Sequence, residues 1–466
     1  MGKRLIFILL FTLCAVIAAY AAAQPPGRHT EVPEFVTAAD RILILAPHPD
    51  DEAIGCAGVI QQALAAGAQV KILYLTNGDH NQFAFIVYEK RITLRKGEFI
   101  HMGQLRRRES IQAMKFLGLG EENLIFLGYP DYGTFSILSR YWQTEKPYKG
   151  LLTRISAVPY KENLSFGAPY TGESILGDLE RVLKEYKPNK IFVSHPADVN
   201  VDHKSLYLFL QIALADLEKE LSSPSIYPYL VHHSGWPLPR RYHPELGLEP
   251  PQELINSDIK WIEVLLTPQQ LEKKRRAILY YRSQTASSAF YLLAFARKNE
   301  LFGDYAQVQL NSQVSPEELA APFSGVSGLY IDSESDPSDY QEAIVQDKGN
   351  VSYAATNDFL FIRIEKPERL KHRFSIQAYL FGYSAEIPFA QMPKIRIITK
   401  NTKFRVFDRK KMIANKDISL QFGVNTLVLK LPLGLLGNPD FILASIKSYS
   451  GTLPISATAF RKISIK

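Results

Sequence analysis

"RILILAPHPDDEAIGCAGVIQQALAA", residues 41–66, holds the fold and its chemistry in one reading. Arg41 to Ala46 is a short apolar run of strand length. From Glu52 to Ala66, Ile54, Ala57, Ile60 and Leu64 recur at helical spacing. Between them stand His48, Asp50, Asp51 and Glu52, one imidazole and three carboxylates at the mouth of a buried strand. Burying such groups unpaired is costly. Either the acids decorate a helix start, where the dipole favours negative charge, or something cationic sits among them.

The strand–loop–helix pattern repeats. Val70–Leu75, Leu124–Leu127 and Lys190–Val193 read as buried strands. Helical spacing follows at Ile111, Met114 and Leu117, and again at Ile175, Leu179, Val182 and Tyr186. A strong amphipathic helix is predicted from Leu206, Leu210, Ala213, Leu217 and Leu221. This alternation predicts an α/β domain over 40–300 with a Rossmann-like, mostly parallel sheet. Residues 130–171, rich in Tyr, Gly and Pro, show no clear element and read as a long lid or binding loop. Trp261–Leu266 is one more strand, followed by a basic helix from Pro268. Beyond about 325 the runs are short and β-rich: Phe359–Ile364, Phe374–Phe381, Lys394–Thr399, Thr426–Leu431, Phe441–Ile446 and Phe460–Ile465. That texture predicts a C-terminal all-β sandwich over 325–466.

A chain of 466 residues exceeds one typical domain. The net charge of +7 suits anionic ligands but gives no sign of the concentrated basic face that nucleic-acid binders use, so no nucleic-acid partner is expected. Lys3 and Arg4, the apolar run 5–19 and Ala21-Ala22-Ala23 read as an export signal cut after Ala23, which places the protein in the periplasm or outside the cell. The alternative is an uncleaved anchor, since residues 5–23 nearly suffice to span a bilayer. Residues 24–39, with Pro25, Pro26 and Pro33, read as a linker. Cys14 and Cys56 are the two cysteines; after cleavage Cys56 is alone. A disulfide within the chain and a cysteine zinc site are then both excluded, and any metal must use His, Asp or Glu.

Ligands of open parallel sheets bind outside the carboxyl ends of the strands. The polar clusters 47–52, 76–79, 128–131 and "SHPADVNVDHKS" (194–205) all follow predicted strands, so they converge. His48, Asp51 and His203 offer two imidazoles and one carboxylate with a position left open, which fits a catalytic zinc site; the same set suits Fe(II). Asp50 points away from Asp51 and is placed to take a proton from water. Asp202 is read at the cap of the helix that carries His203. Taken singly, each acid is explained by helix capping; together at one sheet edge they read as a site.

"APHPDDE" with the distal "PADVNVDH" resembles the PIG-L/LmbE-like metal-dependent N-acetylglucosaminyl deacetylases. "RRRESIQAMKFLG" (106–118), "LGYPD" (127–131) and "KKRRAILYYRSQ" (273–284) are similar to further family motifs, and the resemblance covers about 40–290. It implies a zinc-dependent hydrolysis of the acetamide of an N-acetylated amino sugar. By position it implies His48, Asp51 and His203 as metal ligands and Asp50 as general base. Arg106 and Asp131 would hold polar groups of the substrate. Asp202 would orient a second-site histidine and so share in catalysis. Two positions depart from the pattern: Asn200 and Tyr281 stand where the family commonly has histidines. Asn200 can still donate a hydrogen bond to substrate, while His195, His232 and His233 are candidates for the missing acid, His232 as a substrate-binding residue.

The rival readings are a non-catalytic carbohydrate-binding relative and a metallohydrolase for another amide or ester. The basic run 90–108 reads as a solvated face apart from Arg106, or as a groove for an anionic or polyol substrate. Tyr129, Tyr132, Phe135, Tyr141, Trp142 and Tyr148 suit either stacking on sugar rings or a small core under the long loop. The β-rich tail resembles, more weakly, the sugar-recognition modules of secreted enzymes, which implies a glycan contact; otherwise it is a structural cover.

Overall fold

Residues 41–66 fold into β1 (Arg41–Ala46), a tight turn and α1 (Asp51–Ala66). The computed structural model describes residues 35–466 apart from 82–85, 89, 91–94, 144, 256–258, 306, 311–328, 331–349, 367–368, 371–373, 401–402, 415, 452 and 466. The export signal read at 1–23 and most of the linker lie outside the described residues. No helix among the described residues is long and apolar enough to cross a membrane.

β2 (Gln69–Thr76), α2 (Lys96–Leu117), β3 (Leu124–Tyr129), α3 (Thr134–Arg140), α4 (Gly172–Tyr186), β4 (Lys190–Ser194) and α5 (Val201–Asp216) follow. β5 (Ser225–Tyr229), β6 (Lys260–Leu265), α6 (Pro268–Ile278), α7 (Arg282–Leu292) and β7 (Asn299–Asp304) complete the unit. The sheet order is β3-β2-β1-β4-β5-β7-β6. β1 pairs in parallel with both β2 and β4, and β4 with β5; β7 runs antiparallel to its neighbours. Strand order therefore reverses between β1 and β4, and the crevice opens there. The loop after β1 carries His48 and the loop after β4 leads to His203.

Several elements differ from the sequence reading. The 130–171 stretch contains α3, a short helix that packs on α5. β5 and β7 were not legible: Pro228 interrupts the first, and Gly303 with flanking charges hides the second. The basic helix from Pro268 ends at Ile278, and Ser283 and Gln284 lie in α7, because the chain leaves helical geometry at Tyr281. α5 stops at Asp216 and is not amphipathic; Leu206, Tyr207, Leu208, Phe209 and Leu210 are all buried. A helix apolar all round needs cover on every side, and the C-terminal unit supplies the missing layer.

That unit is a β-sandwich. One sheet has the order β10 (Asn350–Ala355), β11 (Phe359–Glu365), β17 (Thr426–Pro432), β16 (Ser419–Phe422). The other runs β15 (Lys411–Ile413), β14 (Lys403–Asp408), β13 (Lys394–Lys400), β12 (Phe374–Tyr383), β18 (Phe441–Ser450), β19 (Leu453–Thr458), β9 (Leu329–Tyr330). β20 (Arg461–Ser464) joins β18 to β8 (Val308–Gln309). Pairing with the C-terminal sheet thus begins at Val308, ahead of residue 325.

Alternation along β12 explains the third layer. Ile376, Ala378 and Leu380 enter the core between the two sheets. Tyr379, Phe381 and Tyr383 point the other way, into the α/β core. Phe135 of α3 meets Tyr379 edge-on at 5.4 Å, and Trp142 lies 5.0 Å from Phe389 and 5.9 Å from Phe209 of α5. The Tyr383 hydroxyl donates to Asp216 at the end of α5 (2.9 Å). Lys394 is buried, its Nζ donating to the carbonyls of Phe389 (2.5 Å) and Met392 (2.7 Å) beneath the Trp142 ring. Phe135 and Trp142 therefore belong to the seam between the units, while Tyr129 is wholly buried and bonds Asp178 (2.6 Å).

Candidate metal centre

Pro47 and Pro49 stiffen the turn after β1. Asp50 then takes φ 116°, a conformation that is costly for a residue with a Cβ. Three contacts hold it there. Its amide donates to Glu52 Oε2 (3.0 Å), its carboxylate lies 3.3 Å from Arg106 Nη2, and its carbonyl accepts the first bonds of α1 from Ala53 and Ile54. The turn sends Asp50 toward Arg106 and Asp51 toward His48 and His203.

Asp51 Oδ2 lies 3.2 Å from His48 Nδ1 and 3.1 Å from His203 Nε2, and the two ring nitrogens are 3.3 Å apart. Donors each about 2.0–2.1 Å from a tetrahedral ion stand about 3.3 Å apart, so the spacing of this triad fits zinc. All three side chains are buried. Electrostatics agree with geometry. Burial works against charge on His203, yet Asp198 and Asp51 overcome it and raise its pKa to about 9. Burial likewise opposes charge on His48, and Asp131 leads the acids that push it well above its ordinary value. Burial raises Asp51 too, but His203 and His48 more than reverse that and hold it well below the carboxylate range. A field that favours protons on both imidazoles also favours a cation between them.

The outer nitrogen of each imidazole is fixed by an acid. His203 Nδ1 faces Asp198 Oδ2 at 3.0 Å, while Asp198 also accepts the amides of Val231 (3.1 Å), His232 (2.8 Å) and Asn200 (2.9 Å). His48 Nε2 faces Asp131 Oδ1 at 3.2 Å and Asp202 Oδ2 at 3.3 Å. Asp131 in turn accepts the His80 amide (3.0 Å). Asp202 accepts the Tyr132 amide (2.6 Å), the Thr134 amide (3.2 Å) and the Thr134 hydroxyl. Carboxylates in these places fix tautomer and ring orientation and leave the inner nitrogens free to ligate. His48, Asp131 and Asp202 also converge closely enough to form a second cation cluster. The amide and hydroxyl donors already on Asp131 and Asp202 make them orienting groups for His48.

Asp50 is buried beside the triad. Burial pushes its pKa up to about 7; Arg106 opposes this and the Asp51 charge adds to it. A carboxylate poised near neutrality suits a general base. Arg106 is 4% exposed, and its guanidinium donates to the carbonyls of Pro49 (2.6 Å) and Gly78 (3.0 Å) as well as meeting Asp50. Nη1 and Nη2 are thus engaged by the chain's own loops, which places Arg106 as a holder of Asp50; the sequence reading placed it on substrate. Gly78 has φ 66° and touches that guanidinium so closely that a Cβ would collide with Nη1.

The remaining candidates separate. Asn200, not Asp202, is the helix cap: its side-chain oxygen accepts the Asp202 amide (2.8 Å). His232 does face the site, its ring edge-on to His203 at 4.8 Å. Burial holds it neutral, with a pKa of about 4. His195 does not face the site; it stacks on Trp261 at 5.6 Å inside the core. His233 bonds the Ser234 carbonyl (3.2 Å). Tyr281, in place of a family histidine, donates to Glu52. Glu52 is therefore more than a helix-start acid: it is wholly buried, and burial raises its pKa to about 8. Asp198 was missed as a site residue. Its signal was its place in "PADVNVDH", two residues ahead of the cap, where capping explains nothing.

Residues 43–214 match the family model described as PIG-L: GlcNAc-PI de-N-acetylase. No curated protein sequence matches the chain. Among solved structures, a conserved protein of Thermus thermophilus is 22% identical, with a TM-score of 0.30 over 53% of this chain and 80% of that one. The N,N'-diacetylchitobiose deacetylase of Pyrococcus horikoshii is 18% identical, with a TM-score of 0.32 over 53% and 71%. The 4-carboxy-2-hydroxymuconate hydratase of Pseudomonas putida is 15% identical, with a TM-score of 0.33 over 58% and 98%. Residues 43–214, the stretch similar to the PIG-L family model, supply every member of the triad.

Proposed function

We propose that this protein is a metal-dependent deacetylase that hydrolyses the acetamide of an N-acetylated amino sugar or its conjugate. The observation that carries the reading is the triad of His48, Asp51 and His203 at metal spacing, with Asp50 beside it, inside the stretch that matches the PIG-L family model. His48 Nδ1, Asp51 and His203 Nε2 would hold zinc, and Fe(II) suits the same donors. When bound, the cation polarises the acetamide carbonyl and makes water acidic enough to attack near neutral pH.

The chain's own residues do the rest. Asp50 takes the proton of the attacking water and returns it to the leaving amine. Arg106 holds Asp50 at the angle its strained backbone sets. Asp131, Asp202 and Asp198 keep both imidazoles presenting the correct nitrogen. His232, neutral and at the rim, is placed to bond the substrate carbonyl or amine. The export signal read at 1–23 would place the reaction outside the cytoplasm.

The test is acetate release from N-acetylglucosamine conjugates, measured before and after chelation and after return of zinc. Release that stops with chelator and returns with metal supports the reading. No release from any acetamide by the metal-loaded protein overturns it.

A further inference from the structure

The C-terminal sandwich presents a charge pattern that the overall composition hides. On the sheet face turned away from the sandwich core, β13 and β14 place Arg396, Lys400, Lys403 and Arg405, while Lys447 of β18, on the same face, is buried. Lys400, Lys403 and Arg405 are exposed. The outward positions of β12 to β15 and β18 carry no acid. Asp408, the nearest, falls on the opposite parity and accepts the Lys394 amide (2.9 Å).

This clustering works against the fold. Lys400 and Lys403 are direct cross-strand partners, and like charges in that position destabilise a sheet. The face is also continuous with the catalytic unit. Lys447 lies over the Tyr379 ring at 6.0 Å, and Tyr379 packs on Phe135 of α3. α3 starts at Thr134, which bonds Asp202 beside His48. On the other flank Lys410 sits 3.3 Å over the Tyr141 ring, just past α3. A basic strip thus runs alongside the segment that leads out of the metal centre.

We propose that this face binds an anionic polysaccharide, a chain in which N-acetylated amino sugars alternate with uronates, and feeds it toward the metal centre. The substrate class rests on the deacetylase reading; the binding face does not. Charge complementarity argues for the occupant: carboxylates spaced along a glycan match cations spaced along two strands. A stacked nucleic acid is less well served, because the Phe407 ring is covered by the Arg396 guanidinium at 4.8 Å.

The test is equilibrium binding of the full chain to three probes of equal length. They are an N-acetylglucosamine–glucuronate oligosaccharide, a neutral chitin oligosaccharide and a single-stranded oligonucleotide. We expect the uronate chain to bind at least tenfold tighter than the chitin chain at low salt. The variant Lys403→Glu/Arg405→Glu should lose at least tenfold for the uronate chain, while the control Lys115→Glu/Lys219→Glu loses less than twofold. Equal binding of the two glycans, tighter binding of the oligonucleotide, or equal losses in both variants overturns the proposal. Acetate release by the unaltered protein is scored separately: selective binding without release leaves the face assigned and removes the deacetylase reading.

Discussion

His203 Nδ1 lies 3.0 Å from Asp198 Oδ2, and that oxygen also receives the amides of Val231 and His232. One carboxylate therefore ties the second histidine of the triad to the loop after β5. We predict that Asp198→Asn weakens zinc binding by about 10–100-fold, the range for loss of an orienting partner. A metal titration with a competing chelator measures it, and unchanged affinity would show that His203 needs no such anchor.

Asp50→Asn should keep the metal and lose turnover. The amide cannot accept the proton of water, and a positioned base contributes about 10²–10⁴-fold. Metal content and the rate of acetate release, measured on the same sample, decide this.

Arg106→Met separates two roles. A residue that holds Asp50 should lower kcat at least about tenfold and leave KM nearly constant, because the loss falls on the transition state. A residue that binds substrate directly would raise KM instead. Steady-state kinetics on one acetamide distinguish them.

Trp142→Ala probes the seam between the units. The indole is 1% exposed and packs on both Phe209 and Phe389. Large-to-small changes of this kind cost about 3–5 kcal/mol. We expect a lowered unfolding midpoint and early exposure of the seam by hydrogen exchange at α5, with β1 and β2 still protected.

The parallel sheet was legible because buried strands alternate with helices at regular spacing, and Arg41–Ala46 and Lys190 onward were located within a residue or two. The triad was legible because both histidines follow strands that flank the point where strand order reverses. What was hidden depends on tertiary contact. The direction in which Arg106 spends its donors is set by the Pro49 and Gly78 carbonyls, which are remote in sequence. The burial of Leu208 and Phe209 depends on a C-terminal sheet more than 160 residues away. β7 lacks the apolar run of a buried strand because Glu300 turns inward to meet buried Lys274 (2.7 Å) and two amides of α1. Asp198 looked like one more loop acid until its partner was visible.

The central claim is that His48, Asp51 and His203 hold a divalent cation on which acetyl release depends. The most direct measurement is metal analysis of the purified full chain and of His203→Ala, each after incubation with zinc and removal of the excess. The account predicts one tightly held equivalent per chain in the first and none in the second, with acetate release following the metal. A chain that retains no metal, or a variant that retains as much as the parent, would contradict it.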